Sequence, residues 1–165
     1  MKPQLIRRFL LLLLALPLAA LAQDPLQGTW LLVAVDTIQA DGSRVPQYGP
    51  QPQGLLIFDG AGRYAMQIYA SGRTPFASGD KTRGTAEEYR AVVVGSNSHF
   101  GRYSVNAAGT HVRFVTECAS FPNWEGRTQE RDISIDHDHL RYTVPTATNG
   151  ARGEVEWRRA PDVSH

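Results

Sequence analysis

The chain is poor in cysteine, because Cys118 is the only one among its 165 residues. An intramolecular disulfide is therefore excluded, and the stability of the fold must come from buried apolar side chains and backbone hydrogen bonds. A lone cysteine that plays no redox part usually behaves as a small apolar residue. We expect Cys118 to be buried rather than to serve as a reactive or intermolecular thiol.

Long hydrophobic runs are also scarce, and the longest unbroken apolar run, residues 9–16, lies near the N-terminus. It follows Lys2, Arg7 and Arg8 and precedes the small-residue sequence Ala20-Leu21-Ala22, which is the layout of a secretory signal. The run is too short for a comfortable transmembrane helix. We expect residues 1–22 to be a signal peptide and the protein to be exported, to the periplasm or the medium, with no stable membrane span after cleavage.

Neither sign of charge dominates the sequence, which has 17 basic and 16 acidic residues. Removal of the signal and its three basic residues leaves 14 basic against 16 acidic residues, a net charge of −2. Without a basic stripe the protein cannot neutralise a phosphate backbone, so we expect no nucleic-acid partner. The remaining residues, 23–165, are enough for a single domain, which we expect to be monomeric.

Several motifs of catalysis and cofactor binding are missing. The sequence has no G-x-S-x-G elbow, no phosphate-binding glycine loop and no dinucleotide fingerprint. The run Asp136-His137-Asp138-His139 has metal-ligand residue types, but it lies where two strands need a polar turn, and no further ligands stand nearby. We interpret it as a solvated turn and expect neither a metal nor a cofactor.

What the sequence does contain is a series of short strands with period-two alternation or short apolar runs. Eight are predicted, at residues 28–36, 54–59, 63–69, 99–105, 111–119, 127–135, 139–144 and 153–159. Short turn-forming links such as Asp59-Gly60-Ala61-Gly62 favour antiparallel neighbours. Residues 46–52 and 71–84 are predicted to be long loops. The expected fold is all-β, an eight-stranded antiparallel up-and-down β-barrel, since closure removes exposed strand edges.

One helix interrupts the strand series, before the fifth strand region. It is predicted to begin at Thr85, because Thr85-Ala86-Glu87-Glu88 matches a capping box. Tyr89, Val92 and Val93 form one stripe on its surface, so we expect the helix to lie against or across one end of the barrel. At the open end it would be a candidate gate for ligand entry.

Closure of such a barrel would bring its first and last strands together. Gly28 and Trp30 lie on the first strand, and Trp157, Arg158 and Arg159 lie on the last. An arginine across the face of an indole is a stable contact when it is partly desolvated. We therefore expect Trp30 to pack under Arg158 or Arg159 and to close the floor of the barrel, rather than to carry chemistry.

These landmarks make the sequence similar to the lipocalin-like domain family of calycin-type barrels, in a bacterial secreted form. The matching elements, which cover nearly all of the mature chain, are Gly28-Thr29-Trp30, Phe100-Gly101-Arg102-Tyr103, Pro122-Asn123-Trp124-Glu125-Gly126, Arg131 and Trp157-Arg158-Arg159. The resemblance implies a barrel with an interior for one small apolar molecule. The chain departs from the typical secreted lipocalin in lacking a disulfide and in having a helix within the strand series, so the ligand loops of animal lipocalins are not carried over.

Side chains two apart on a strand share a face, so the apolar residues predict which polar side chains turn inward. That reasoning selects five candidate ligand-binding residues, namely His99, Tyr103, Thr116, Arg131 and Tyr142. Each has a structural alternative, because a buried arginine can bind a carboxylate of the protein and the tyrosines can be core residues. No inward acid is predicted near Arg131, which favours an anionic or carbonyl-bearing ligand there.

The sequence favours a binding protein for a small hydrophobic or amphipathic molecule over an enzyme. The enzymatic alternative is an isomerase, cyclase or hydrolase acting on an apolar metabolite, with His99 and Tyr103 as an acid-base pair. A third alternative is a filled barrel that acts through its surface loops, with Arg73, Lys81 and Arg83 in the 71–84 segment.

Overall fold

The computed structural model describes residues 24–144 and 152–161. Nine strands follow one another along this part of the chain: β1 Gly28–Ile38, β2 Arg44–Pro46, β3 Gln53–Phe58, β4 Arg63–Tyr69, β5 Ser96–Val105, β6 His111–Ala119, β7 Thr128–Asp136, β8 His139–Val144 and β9 Arg152–Arg159. Helix α1, Ala86–Val94, lies between β4 and β5, and a 3-10 turn, Pro122–Trp124, lies between β6 and β7. The expected signal segment lies outside the described residues.

The strands form a closed antiparallel barrel. From β3 to β9 each strand pairs with the next, and β1 pairs with both β3 and β9, which confirms the predicted eight-stranded up-and-down barrel. One additional strand, β2, was not predicted. It pairs with Asp36–Ile38 of β1, beyond the segment of β1 that pairs with β3, so β2 and β3 share one position in the barrel wall.

Period-two alternation places the core inside the barrel. Along β4, for example, Tyr64, Met66 and Ile68 are buried while Ala65 and Gln67 are exposed. The same alternation on the other strands buries a single apolar cluster that includes Trp30, Leu56, Phe114, Leu140 and Trp157. Alternation therefore decides which face of each strand meets the interior.

Trp30 closes one end of the barrel, which is called the floor here. Its indole is fully buried and donates a hydrogen bond from Nε1 to the carbonyl of Leu26 at 2.8 Å. The Arg159 guanidinium lies 4.1 Å from the centre of the indole ring. The predicted contact between the first and last strands is confirmed, with Arg159 as the partner, since Arg158 is exposed.

Gly28 and Trp157 complete the floor. Gly28 has a φ of +125°, a conformation that is strained for residues with a side chain, and a Cβ built there would lie 2.9 Å from Nη1 of Arg159, so the guanidinium would have to move off its place over Trp30. Trp157 is fully buried and pairs with Leu32 across the β1–β9 seam. Both residues therefore serve the closure that the sequence predicted.

A β-bulge changes the face of the last residues of β6. Gly101 of β5 pairs with Thr116, but the preceding Phe100 pairs with Cys118, so Glu117 is an extra residue on β6. One extra residue inverts the alternation beyond it. Cys118 therefore faces solvent, and the expectation that it is buried is wrong.

Helix α1 begins as predicted and lies at one end of the barrel, as predicted, but it does not bury its apolar stripe. The Thr85 side chain accepts a hydrogen bond from the backbone N–H of Glu88, and the Glu88 carboxylate accepts one from the backbone of Thr85, which completes the capping box. Since α1 joins the end of β4 to the start of β5, it lies at the end of the barrel opposite Trp30. None of its residues is buried, and Tyr89 packs on Phe76 of the preceding loop.

Candidate functional site

A cavity of about 280 Å³ lies inside the barrel between the floor and the end that carries α1. Most of its wall is apolar and includes Val35, Met66, Ile68, Phe114 and Val155. The polar residues in the wall are Gln47, Tyr48, Asn97, His99, Gln129, Arg131 and Tyr142. A largely apolar space with a few polar groups is the usual form of a small-molecule site.

Arg131 carries the charge of this cavity. It is half-buried on β7, on the same face as the buried Ile133, as alternation predicts. Its guanidinium donates from Nη1 to the Glu130 carbonyl at 2.8 Å and from Nη2 to the Gln129 side-chain oxygen. Among the described residues no carboxylate forms an ion pair with it, and burial lowers its pKa. A guanidinium nevertheless stays protonated in proteins, so the cavity contains a positive charge.

His99 lines the same cavity and is uncharged at neutral pH. Burial, together with the nearby charge of Arg131, lowers its pKa from 6.5 to about 4. Its Nδ1 lies 2.9 Å from the hydroxyl of Tyr64, which lies 3.3 Å from Oγ1 of Thr116. His99 therefore offers the cavity a neutral imidazole held by the hydroxyl of Tyr64, which in turn contacts Thr116. Thr116 stands behind Tyr64 and does not line the cavity.

The hydroxyl groups of Tyr142 and Tyr103 lie in different parts of the barrel. Tyr142 is buried in the cavity wall, its hydroxyl lies 3.5 Å from the sulfur of Met66, and burial raises its pKa to about 12. Tyr103 lies at the floor, where its hydroxyl donates to Oδ2 of Asp24 at 2.5 Å and lies 3.0 Å from the carbonyl of Asp59. Burial followed by the hydrogen bond to Asp24 raises the pKa of Tyr103.

The structure thus brings together three of the five predicted site residues, His99, Arg131 and Tyr142. Thr116 belongs to the hydrogen-bond chain behind the wall, and the structure places Tyr103 outside the cavity. This geometry does not support an acid-base pair of His99 and Tyr103. The His99 imidazole contacts the Tyr64 hydroxyl, whereas the Tyr103 hydroxyl is bonded to Asp24 at the floor.

Sequence reasoning missed two polar residues for which a signal existed. Gln129 alternates with Arg131 within the predicted strand 127–135, and Asn97 alternates with His99 two residues before the predicted start of its strand. Gln47 and Tyr48 had no periodic signal, because they follow β2 in a segment that was predicted to be loop. That segment is fixed by backbone hydrogen bonds from Gln47 to Val35 and from Ser71 to Tyr48.

A second space of about 380 Å³ adjoins the cavity at the α1 end, and it is called the mouth groove here. Its apolar lining comes from Val92, Val93 and Val94 of α1 and from Phe121 beside the 3-10 turn. It shares three lining residues, Tyr48, Asn97 and Trp124, with the cavity. Trp124 stands at this junction with its ring 5.9 Å from the imidazole of His99.

The family model described as lipocalin-like domain matches residues 27–160, which span the whole barrel. The chain belongs to the lipocalin-like domain family. No curated protein is significantly similar to it. In this lipocalin-like barrel the landmark residues Trp30 and Arg159 close the floor, and Arg131 faces the cavity.

The described residues were compared with what a metal site and a membrane-spanning helix require. Within residues 24–144 and 152–161 no three histidine, cysteine or acidic side chains stand close enough to hold a metal ion. The run Asp136-His137-Asp138-His139 forms the turn of the β7–β8 hairpin, with His137 at a φ of 54°. No helix in the described part of the chain is long and apolar enough to cross a membrane.

Proposed function

We propose that this lipocalin-like protein is an exported binding protein that holds one small, largely apolar molecule in its cavity, with an acidic or carbonyl head group against Arg131. The observation that carries the proposal is the half-buried Arg131 guanidinium, which has no carboxylate partner among the described residues. Its two hydrogen bonds go to a backbone carbonyl and an amide oxygen, both uncharged.

A guanidinium that loses water without gaining an anion is costly. The charge-assisted hydrogen bonds of a ligand carboxylate would offset that cost, and they are stronger than bonds between neutral groups. The surrounding wall of Met66, Ile68, Phe114 and Val155 then suits an apolar tail. An amphipathic acid therefore matches both parts of the cavity.

The presence of a cavity favours this proposal over a filled barrel that acts through its loops. The enzymatic alternative with His99 and Tyr103 is disfavoured, because the Tyr103 hydroxyl is bonded to Asp24 at the floor. Export and a monomeric state are part of the proposal. They rest on the signal-like residues 1–22 and on the closed barrel, which has no long unpaired edge strand within residues 24–144 and 152–161.

The proposal is tested by titrating the purified protein with dodecanoic acid and with its methyl ester. We expect the acid to bind about tenfold more tightly than the ester. In Arg131→Met that ratio should fall to about one. The matched control is Arg113→Met, which removes an exposed arginine from the outer face of β6 and should keep the ratio.

Equal affinities of acid and ester in the wild-type protein would contradict a head-group role of Arg131, and failure of both to bind would contradict the apolar ligand class. Native mass spectrometry of protein purified from its own source gives an independent result. A retained acidic small molecule would support the proposal, and its mass would identify the ligand class.

A further inference from the structure

Thr116, Tyr64 and His99 form a chain of hydrogen bonds that ends at the cavity. The Tyr64 hydroxyl lies 3.3 Å from Oγ1 of Thr116 and 2.9 Å from Nδ1 of His99. Thr116 and Tyr64 are buried and do not line the cavity, whereas His99 does. The two hydroxyl groups can therefore act on a ligand only through the imidazole of His99.

This chain has two hydroxyl hydrogens, and only one arrangement gives both of them an acceptor. Within residues 24–144 and 152–161, the hydrogen-bond partner of Thr116 Oγ1 is the Tyr64 hydroxyl alone. If Thr116 donates to Tyr64, the Tyr64 hydroxyl donates in turn to Nδ1 of His99. If Tyr64 donated to Thr116 instead, the Thr116 hydrogen would be buried without an acceptor, which is destabilising.

The favoured arrangement decides which ring nitrogen of His99 carries the proton. The ring is uncharged at neutral pH, because burial and then the charge of Arg131 lower its pKa to about 4. A neutral imidazole has one N–H group, so a ring that accepts at Nδ1 is protonated at Nε2. Nε2 has no hydrogen-bond partner in the described part of the chain, and it is not fully buried there. It is therefore a free donor that a small molecule can reach.

A second donor, the Arg131 guanidinium, lines the same cavity of about 280 Å³. Its charge acts on the imidazole of His99, so the two groups are close enough to interact electrostatically. Two of the five N–H groups of this guanidinium are used by Glu130 and Gln129. The others are left for a ligand.

We propose that Tyr64 fixes His99 as a hydrogen-bond donor, so that Nε2–H of His99 and the Arg131 guanidinium together bind the head group of the ligand. The head group then needs an acceptor toward each of them. A carboxylate has two acceptor oxygens and no hydrogen, whereas a primary amide has an NH₂ group on one side. This inference rests on the proposed function and narrows the ligand class to molecules whose head group has no donor.

The test compares the affinities of dodecanoic acid and dodecanamide by displacement of a fluorescent fatty acid, in the wild-type protein and in Tyr64→Phe. Without the phenolic hydroxyl no protein group fixes the proton on Nε2, and Nε2 can then accept from the NH₂ group of the amide. We expect Tyr64→Phe to weaken binding of the acid about threefold and to strengthen binding of the amide about threefold.

Thr116→Val is the matched control, because it removes the other buried hydroxyl of the same chain. The Tyr64 hydroxyl keeps Nδ1 of His99 as its acceptor in that variant. Both affinities should therefore stay within about twofold of the wild-type values. General damage to the barrel would weaken both ligands together, so opposite changes in Tyr64→Phe are specific to the proton position.

Nitrogen-15 NMR of the imidazole at pH 7 tests the same inference without a ligand, with the His99 signals assigned by their loss in His99→Gln. We expect the proton on Nε2 in the wild type and in Thr116→Val, and a mixture of both forms in Tyr64→Phe. A wild-type protein with the proton on Nδ1 would overturn the inference. Should Tyr64→Phe not fold, this wild-type spectrum decides.

The outcomes separate this inference from the proposed function. If the preference for acid over ester depends on Arg131, but Tyr64→Phe changes the acid and amide affinities in the same direction or leaves both unchanged, the proposed function stands and the role of Tyr64 is wrong. If neither the acid nor the ester binds to the wild-type protein, both are wrong.

Discussion

The guanidinium of Arg159 lies 4.1 Å from the centre of the Trp30 indole, so a residue from the last strand covers a residue from the first. The same guanidinium donates to the carbonyls of Gln27 at 2.8 Å and Pro25 at 2.9 Å, which lie just before β1. One side chain thus joins the two ends of the barrel through a cation–π contact and two charge-assisted hydrogen bonds.

Replacement of Trp30 by alanine should lower the free energy of unfolding by about 3–5 kcal/mol, because it empties the volume of a fully buried aromatic side chain. Urea denaturation followed by circular dichroism measures the change. Arg159→Met should cost less, about 1–2 kcal/mol, since Trp30 remains in place. A Trp30→Ala protein as stable as the wild type would show that the floor contact does not stabilise the barrel.

His99 should make stability fall in mildly acidic solution. Its folded-state pKa is about 4, lowered by burial and then by the charge of Arg131, against about 6.5 in the unfolded chain. Between those pH values only the unfolded state takes up the proton. The contribution of His99 to the free energy of unfolding is therefore fully present above pH 6.5 and is lost as the pH falls to about 4. The loss amounts to about 3 kcal/mol at most.

Urea unfolding between pH 7.5 and pH 4.5 measures this dependence, which should be much shallower in His99→Gln. In Arg131→Met the His99 pKa should rise, because the neighbouring positive charge is gone, and the stability loss should shrink. If the free energy of unfolding of His99→Gln depended on pH as in the wild type, titration of other groups would be responsible for the loss of stability.

Helix α1 should open independently of the barrel, since none of its residues is buried. Its start depends on Glu88, whose carboxylate accepts backbone hydrogen bonds from Ala77 at 2.7 Å and Thr85 at 2.6 Å. These bonds hold the pKa of Glu88 below its usual value. Thr85→Ala should therefore speed amide hydrogen exchange in residues 77–94 severalfold and leave the melting temperature of the barrel within about two degrees.

Glu87→Gln provides the control for the helix, because it changes an acidic residue in the same turn outside the capping box. Exchange in residues 77–94 should stay close to the wild-type rate. A large fall in the melting temperature of Thr85→Ala would instead show that the helix folds as one unit with the barrel.

Cys118 should react with a thiol reagent in the native protein, because the bulge at Glu117 turns it to solvent. The reaction should be slow near neutral pH, since a hydrogen bond to the Glu125 carboxylate raises the pKa of the Cys118 thiol and the thiolate is the reactive form. Glu125→Gln should speed labelling severalfold, whereas Glu130→Gln, an exposed change on β7, should not. If Cys118 were labelled only in denaturant, its thiol would be buried in the native protein, which would contradict its exposure.

Strand prediction succeeded where one pattern was enough. The segments 63–69, 111–119 and 139–144 coincide with β4, β6 and β8, because each lies between clear turns and its inward and outward residues alternate, in β6 as far as the bulge at Glu117. Prediction was weaker at the α1 end of the barrel. The start of β5 at Ser96 and the short strand β2 lack a polar and apolar contrast, so Asn97 and Tyr48 were missed.

The sequence by itself determined the barrel, its closure at Trp30 and the inward direction of Arg131, because each depends on local alternation or on landmark residues at the two ends of the domain. The tertiary structure decided which polar groups share the cavity. The tilt and stagger of the strands place Tyr103 at the floor with Asp24, and the bulge at Glu117 turns Cys118 outward. Alternation assigns a side chain to a face of a strand, but its height within the barrel depends on the register of all the strands together.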